Sequence, residues 1–216
     1  MSITNPNSNL ILGYHGCSKE TAEGLLAGDA FQHSTNEYDW LGWGAYFWEN
    51  NPRRAWQFSQ QKVMWKDYEE PAIVGVIISL EDCLDLTTAR SIEAVRDTYE
   101  AVKDLFKSIG EPLPKNQNPH HINSGDILFR SLDCYVINFL CCLHDQEPLY
   151  FDQKFTGKTL DIGKGAGSVK TVRGVFWEGP PIYEGSGFRE KTHTQVAVRD
   201  LSCIRGVFRV PSEEYR

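Results

Sequence analysis

Apolar positions along this chain recur with two periods, and the alternation between them predicts a mixed α+β fold. Leu10-Ile11-Leu12-Gly13-Tyr14-His15-Gly16 reads as a short apolar strand ending in Tyr-His-Gly. Ser18 then stands where a helix N-cap is needed, with Thr21 in the first turn and Ala22, Leu25 and Leu26 following before Gly28-Asp29 ends the segment. Pro52 opens a second helix that runs to about Tyr68, with Ala55, Phe58, the stem of Lys62 and Trp65 facing inward. Pro71 to Leu80 holds the most continuous β-branched run and predicts a central strand.

Helical spacing returns at Ile92, Val95, Tyr99, Val102, Leu105 and Ile109, and Gly110 with Pro112 stops it. Residues 111–123, rich in proline and containing His120-His121, read as a loop. Another helix is expected from about Gly125 to His144, its stripe made by Leu128, Leu132, Tyr135, Val136, Phe139, Leu140 and Leu143. Val169 to Trp177, Thr192 to Arg199 and Cys203 to Val210 read as strands, with a Gly/Pro loop over Glu178 to Arg189. The order is strand, helix, strands, a helical middle, then strands. That predicts one α+β domain over 1–216 with a mainly antiparallel sheet, a helical insertion at about 81–145 and a loose tail over 1–9.

One stretch departs from an ordinary core pattern. Tyr38-Asp39-Trp40-Leu41-Gly42-Trp43-Gly44-Ala45-Tyr46-Phe47-Trp48-Glu49 crowds aromatic rings around two glycines. Gly42 and Gly44 permit close backbone approach and positive φ. Rings beside such a backbone either fill a core or make a slot for a planar heterocycle.

The chain has 216 residues and a formal net charge of −7, which argues against indiscriminate binding to nucleic acid or anionic membrane. Met1 to Asn9 is no signal peptide, and no apolar run approaches spanning length, so a cytoplasmic protein with no membrane partner is expected. The six cysteines show no disulfide-framework spacing and are expected as free thiols. Cys141, Cys142 and His144 lack a second Cys/His pair and sit in an apolar helix pattern, so buried cysteines are expected there and no metal. Gly157-Lys158-Thr159 lacks the earlier glycine of a phosphate-binding loop, since position 152 is Asp. Gly163 to Gly167 lacks the strand and helix that a dinucleotide-binding turn requires. Lys154, Lys158, Lys164, Lys170 and Arg173 form a basic stretch that is either a solvated loop or a contact for a phosphate backbone.

His15-Gly16 on a first strand, followed some thirty residues on by Gly42-Trp43-Gly44-Ala45-Tyr46-Phe47, resembles the ADP-ribosyltransferases of the poly(ADP-ribose) polymerase and diphtheria-toxin type. The third element of that superfamily, usually Glu on a late strand, corresponds to Gln195 within Thr192-His193-Thr194-Gln195-Val196-Ala197-Val198. The resemblance implies a split antiparallel sheet and cleavage of the nicotinamide–ribose bond of NAD, the co-substrate, through an oxocarbenium-like centre.

By this resemblance Gly16 holds the carboxamide through its backbone, His15 hydrogen-bonds the adenosine ribose, and Tyr46 stacks on nicotinamide. Trp56, ahead of Phe58, is expected as the second aromatic. Gln in place of Glu keeps a hydrogen bond and loses a charge, which implies single-unit transfer rather than polymer growth. Glu178, Glu184 and Glu49 are candidate compensating acids. His193 shares a strand face with Gln195 and is a candidate acceptor-side group. The expectation is a mono-ADP-ribosyltransferase, an intracellular bacterial toxin or defence effector acting on a protein or nucleic-acid acceptor, with a cognate antitoxin or immunity protein as a further partner. The alternatives are a silent NAD- or ADP-ribose-binding module, an NAD glycohydrolase or an RNA 2′-phosphotransferase-like enzyme.

Overall fold

The computed structural model describes residues 5–6, 9–65, 69–120, 125–145, 149–150, 159–160 and 168–215. Its architecture is α+β with a mainly antiparallel sheet, as the periodicities predict. The strands are β1 (Asn5–Pro6), β2 (Leu10–Ser18), β3 (Ala45–Glu49), β4 (Pro71–Ser79), β5 (Asp82–Asp85), β6 (Leu149–Tyr150), β7 (Thr159–Leu160), β8 (Thr171–Phe176), β9 (His193–Val198) and β10 (Ile204–Arg209). The helices are α1 (Lys19–Ala27), α2 (Pro52–Met64), α3 (Ala89–Ile109) and α4 (Ser131–Asp145).

The main sheet runs β1-β5-β8-β9-β3-β2-β4-β10, while β6 and β7 pair only with each other. The contact of β5 with β8 is parallel and every other one is antiparallel. The β-branched run of β4 lies between β2 and β10, and β2 matches it along its whole length, from Leu10↔Ser79 to Ser18↔Pro71.

Local chemistry sets the helix ends. The Ser18 hydroxyl accepts from Thr21 N–H, and Gly28 closes α1 in the left-handed region at φ 111°. Asn51 caps α2, whose first turn carries Pro52. Thr88 caps α3, and Gly110 ends it at φ 74°.

Strand alternation sorts the core onto two faces. Phe47, Val74, Val76, Ile78, Val196 and Val198 pack with Ala22, Leu25 and Phe31 on the α1 face. On the other face Tyr14, Trp48 and Ile73 meet Ala55 of α2, and Leu84, Val172 and Ala197 meet Ile137 and Leu140 of α4.

Several expectations change. Asn5–Pro6 is not loose but pairs with Asp82 and Cys83. Asp82–Asp85 is a strand, so the helical insertion begins at Ala89 rather than at 81. The helix expected from Gly125 begins at Ser131, because Asn116 Oδ1 accepts from the Leu132 and Asp133 amides and Asn118 Oδ1 accepts from Leu128 and Phe129. Two side chains from an upstream loop thus take the backbone donors that would otherwise enter a longer helix. Helix α2 stops at Met64, and Trp65, expected inward, is exposed, as is Ile92 on α3.

All six cysteines are free thiols, five of them buried, and burial pushes Cys17 and Cys134 up to about 12 and Cys83 and Cys203 up to about 11. The raised values keep those four thiols protonated at neutral pH. Among the described residues no helix is long and apolar enough to cross a membrane, and no His/Cys/Asp/Glu group has metal-binding geometry.

Candidate functional site: the split between β2 and β3

The ladder between β2 and β3 is short. It contains Gly13↔Glu49 and Tyr14↔Trp48, after which Phe47, Tyr46 and Ala45 pair only with β9. The Asn50 N–H donates to the Leu12 carbonyl at 2.9 Å, so Leu12 turns its backbone groups toward β3. With a period of two, Tyr14 and Gly16 turn theirs the same way. For Gly16 no ladder partner stands opposite, and its N–H and C=O face the opening between the strands. Gly16 also lies directly under α2: a Cβ there would be 2.4 Å from the Ala55 carbonyl oxygen, so only glycine fits.

His15 bridges the opening. Its Nδ1 is 2.9 Å from the Tyr46 carbonyl oxygen. A carbonyl only accepts, so Nδ1 carries the proton. Burial lowers the imidazole pKa, which keeps the ring neutral and leaves Nε2 as an acceptor. Phe31 and Phe47 hold the ring at centroid distances of 5.5 and 5.7 Å.

Tyr46 is built in rather than free. Its hydroxyl donates to the Gly42 carbonyl at 2.7 Å and accepts from Leu41 N–H at 3.0 Å. Those bonds tie the strand to the preceding turn, where Gly42 has φ 77°. Burial, and then the Asp39 charge, push the phenol pKa well up. The ring packs beside Leu41, Ile137 and Ala197. The aromatic stretch therefore fills core on both faces, with Phe47 toward α1 and Trp48 toward α2.

Gln195 lies opposite Trp48 in the β3–β9 ladder and is buried. Its Oε1 accepts from the Trp40 indole N–H at 2.7 Å. An indole N–H only donates, which fixes the amide's orientation and turns Nε2 away from Trp40. That Nε2 has no hydrogen-bond partner among the described residues.

His193, two residues earlier, stacks on Phe176 at 5.6 Å and 20° and lies 6.2 Å from the Trp48 ring. Its Nδ1 donates to the Lys191 carbonyl at 2.6 Å. Burial is the main cause that brings its pKa down to about 4, with Arg54 adding to it.

Glu178, a candidate compensating acid, is engaged elsewhere. Arg54 Nη2 donates to its Oε1 at 2.8 Å and its Oε2 at 2.6 Å, and the pair is buried. Glu49 is held by Arg173, which also reaches Asp85, and Glu184 is exposed. Lys170 pairs with Glu81 and Asp200, so neither of the described cations of the basic stretch is free. Lys154, Lys158, Lys164 and the Gly163 to Gly167 run lie outside the described residues.

The structure thus brings His15, Gly16 and Tyr46 to one opening, and groups Gln195 with Trp48, Trp40 and His193 on the α2/α4 face. Trp56 is the aromatic of α2 that the sequence ranks first. That indole packs on Tyr215 at 5.1 Å, beyond β10, whereas Phe58 touches Trp48 at 4.9 Å. Of the two aromatics named for α2, Phe58 is the one with a ring contact to β3.

Sequence reasoning missed Arg54, Trp40 and Trp48. Arg54 Nε and Nη1 and Trp48 Nε1 are buried donors without a hydrogen-bond partner among the described residues. The Arg54-Ala55 pair, one turn ahead of Ser59, was the available signal, since that spacing puts all three on the buried stripe of α2. A cavity of about 360 Å³ lined by Trp40, Tyr99, Arg130 and Ile137 adjoins the Trp40 end of the group without including His15, Gly16 or Tyr46.

In comparisons with family models, with curated proteins and with solved structures, nothing matches.

Proposed function

We propose that this chain is an NAD-dependent mono-ADP-ribosyltransferase acting in the cytoplasm, with the opening between β2 and β3 as its NAD cleft. One observation carries the reading: the β2–β3 ladder ends at Tyr14↔Trp48, leaving Gly16's backbone groups turned into the opening with His15 bound across it to Tyr46. A carboxamide offers one acceptor and one donor group, which complements a strand edge that offers N–H and C=O together. The neutral His15 Nε2 accepts from a ribose hydroxyl. Tyr46 acts chiefly by holding the turn through its hydroxyl. Gln195 contacts the nicotinamide ribose and supplies position rather than charge. Transfer breaks the nicotinamide–ribose bond, and nicotinamide leaves while the anomeric carbon bonds to an acceptor nucleophile. The microbial role, as toxin or defence effector with a cognate antitoxin or immunity protein, is part of the same proposal and rests on the resemblance alone.

A second reading has its own support. Two of the three candidate compensating acids are already engaged, Glu178 by Arg54 and Glu49 by Arg173. A site that binds NAD and leaves the glycosidic bond intact is the outcome if charge is indispensable.

The test is incubation with labelled NAD and separate protein, RNA and DNA pools, followed by mass spectrometry. Nicotinamide release with a mass gain on one pool is expected. Binding of NAD with no nicotinamide released from any mixture makes the chain a silent module. Nicotinamide released without any labelled pool makes it a glycohydrolase.

A further inference from the structure

Resting on the NAD reading, we propose that Trp40 is a positioning residue that locks Gln195 as a hydrogen-bond donor, so that the site grips a ribose oxygen by donating to it. The superfamily's Glu accepts at this place. Here the accepting atom is already engaged, because Oε1 takes the Trp40 N–H at 2.7 Å. Turning the amide over would set Nε2 against the indole nitrogen, donor against donor. The amide therefore presents two N–H groups to whatever enters.

Trp40 cannot easily give way. Its ring meets Phe176 edge-on at 5.1 Å, the Arg130 guanidinium lies 5.8 Å from its centroid, and the Gly174 backbone lies so close that a Cβ would be 2.8 Å from the indole. Gln195 is 9% exposed, so water does not readily reorient it.

The surroundings point the same way. Trp48, the register partner of Gln195, has a buried Nε1 with no partner among the described residues, and Arg54, whose charge acts on the neighbouring His193, has two more such nitrogens, Nε and Nη1. Such donors are complemented by an oxygen with free lone pairs. A ribose hydroxyl accepting from Gln195 keeps its own proton available for another partner. The bond fixes the sugar and contributes no negative charge to the anomeric centre.

The experiment measures binding of NAD and of analogues in which the nicotinamide-ribose 2′- and 3′-hydroxyls are replaced, one at a time, by fluorine or by hydrogen. Fluorine accepts weakly and cannot donate, whereas hydrogen does neither. At one of the two positions the fluoro analogue is expected to bind within about threefold of NAD and the deoxy analogue about tenfold more weakly. In Trp40→Phe, which loses the indole N–H and keeps an aromatic ring, that preference for fluorine over hydrogen is expected to vanish.

Equal weakness of the fluoro and deoxy analogues at both positions means that Gln195 accepts, and overturns the proposal while leaving the NAD reading intact. An unchanged preference in Trp40→Phe overturns the role of Trp40. Failure of the wild-type chain to bind NAD removes the reading on which both rest. The analogue series uses the wild-type chain, so a variant that fails to fold does not rescue the proposal.

Discussion

The two polar clusters on either side of β3 follow different rules. Where His15 meets Tyr46, the two side chains are bound to backbone groups: imidazole to carbonyl, phenol to carbonyl and amide. Around Trp48 and Arg54, three buried nitrogens are donors without acceptors among the described residues. A folded core seldom leaves such groups unanswered, since each unpartnered buried donor costs about 1–3 kcal/mol. The first cluster is therefore held by its own side-chain-to-backbone bonds and presents a strand edge. The second keeps buried donors that no described residue answers.

The largest expected effect comes from Arg54. Arg54→Met leaves Glu178 buried without its close partner and, among the described residues, with Lys191 at 3.8 Å as the remaining cation. A loss of about 3–5 kcal/mol in urea unfolding is expected. The double variant Arg54→Met/Glu178→Leu removes both charges and should recover most of that loss. If it recovers none, the ion pair is not what makes the single substitution costly, and the contrast between the clusters loses its electrostatic half.

His193 sharpens the same contrast through pH. Its pKa is about 4 in the folded chain against an ordinary value of 6.5, so the unfolded chain binds the proton more readily. Stability is therefore fully present above pH 6.5 and is lost as pH falls through the window down to about 4. The loss is on the order of 3 kcal/mol for His193 alone. His15, also lowered by burial, adds in the same direction. Denaturant titrations at pH 7 and pH 4 check this, and His193→Gln should flatten the difference between them. An unchanged difference in that variant would assign the acid sensitivity elsewhere.

Strands and helix ends were legible because they depend on near neighbours. The β-branched run of β4, the Ser18 cap and the stops at Gly28 and Gly110 all follow from adjacent residues. The helix expected from Gly125 failed because its start is set by Asn116, sixteen residues ahead of Leu132. The four-residue β5 is too short to show a period and exists because β8 comes to lie beside it.

At the site, the His-Gly and Gly-x-Gly-x-Tyr-Phe segments mark where the sheet opens. They say nothing of how Gln195 is oriented. That follows from an indole 155 residues away, as the burial of Arg54 follows from a carboxylate 124 residues away. Donor and acceptor roles at this site are long-range properties, and single-sequence periodicity does not carry them.

Gly16→Ala tests the first cluster. The new methyl meets the Ala55 carbonyl, a backbone atom that moves only with α2. A destabilisation of about 1–3 kcal/mol is expected. NAD binding should weaken by more than the stability change alone explains, because α2 must lift from the opening. Weakened folding with unchanged NAD affinity would separate Gly16 from the ligand and move the cleft elsewhere.

The smallest effect on the fold is expected at Trp48, and there the comparison is most exposed to failure. Trp48→Phe removes the indole nitrogen and part of a ring that packs on Phe58 and His193. Removing a partnered N–H would leave its acceptor stranded. Removing one that has no partner relieves a desolvation cost and offsets part of the packing lost. The net change in unfolding free energy is therefore expected to stay within about 1 kcal/mol, less than an aromatic truncation in a satisfied core would give. Ligand affinity should move the other way: if the donor serves NAD, its loss weakens binding about tenfold. Calorimetry and urea unfolding on the same variant read both quantities. A variant that loses several kcal/mol of stability would mean that the Trp48 N–H is answered within the folded chain, and the two clusters would then be built alike. A variant that keeps both its stability and its NAD affinity would make the unpartnered donor a tolerated packing defect, leaving Arg54 Nε and Nη1 as the remaining unanswered donors of this group among the described residues.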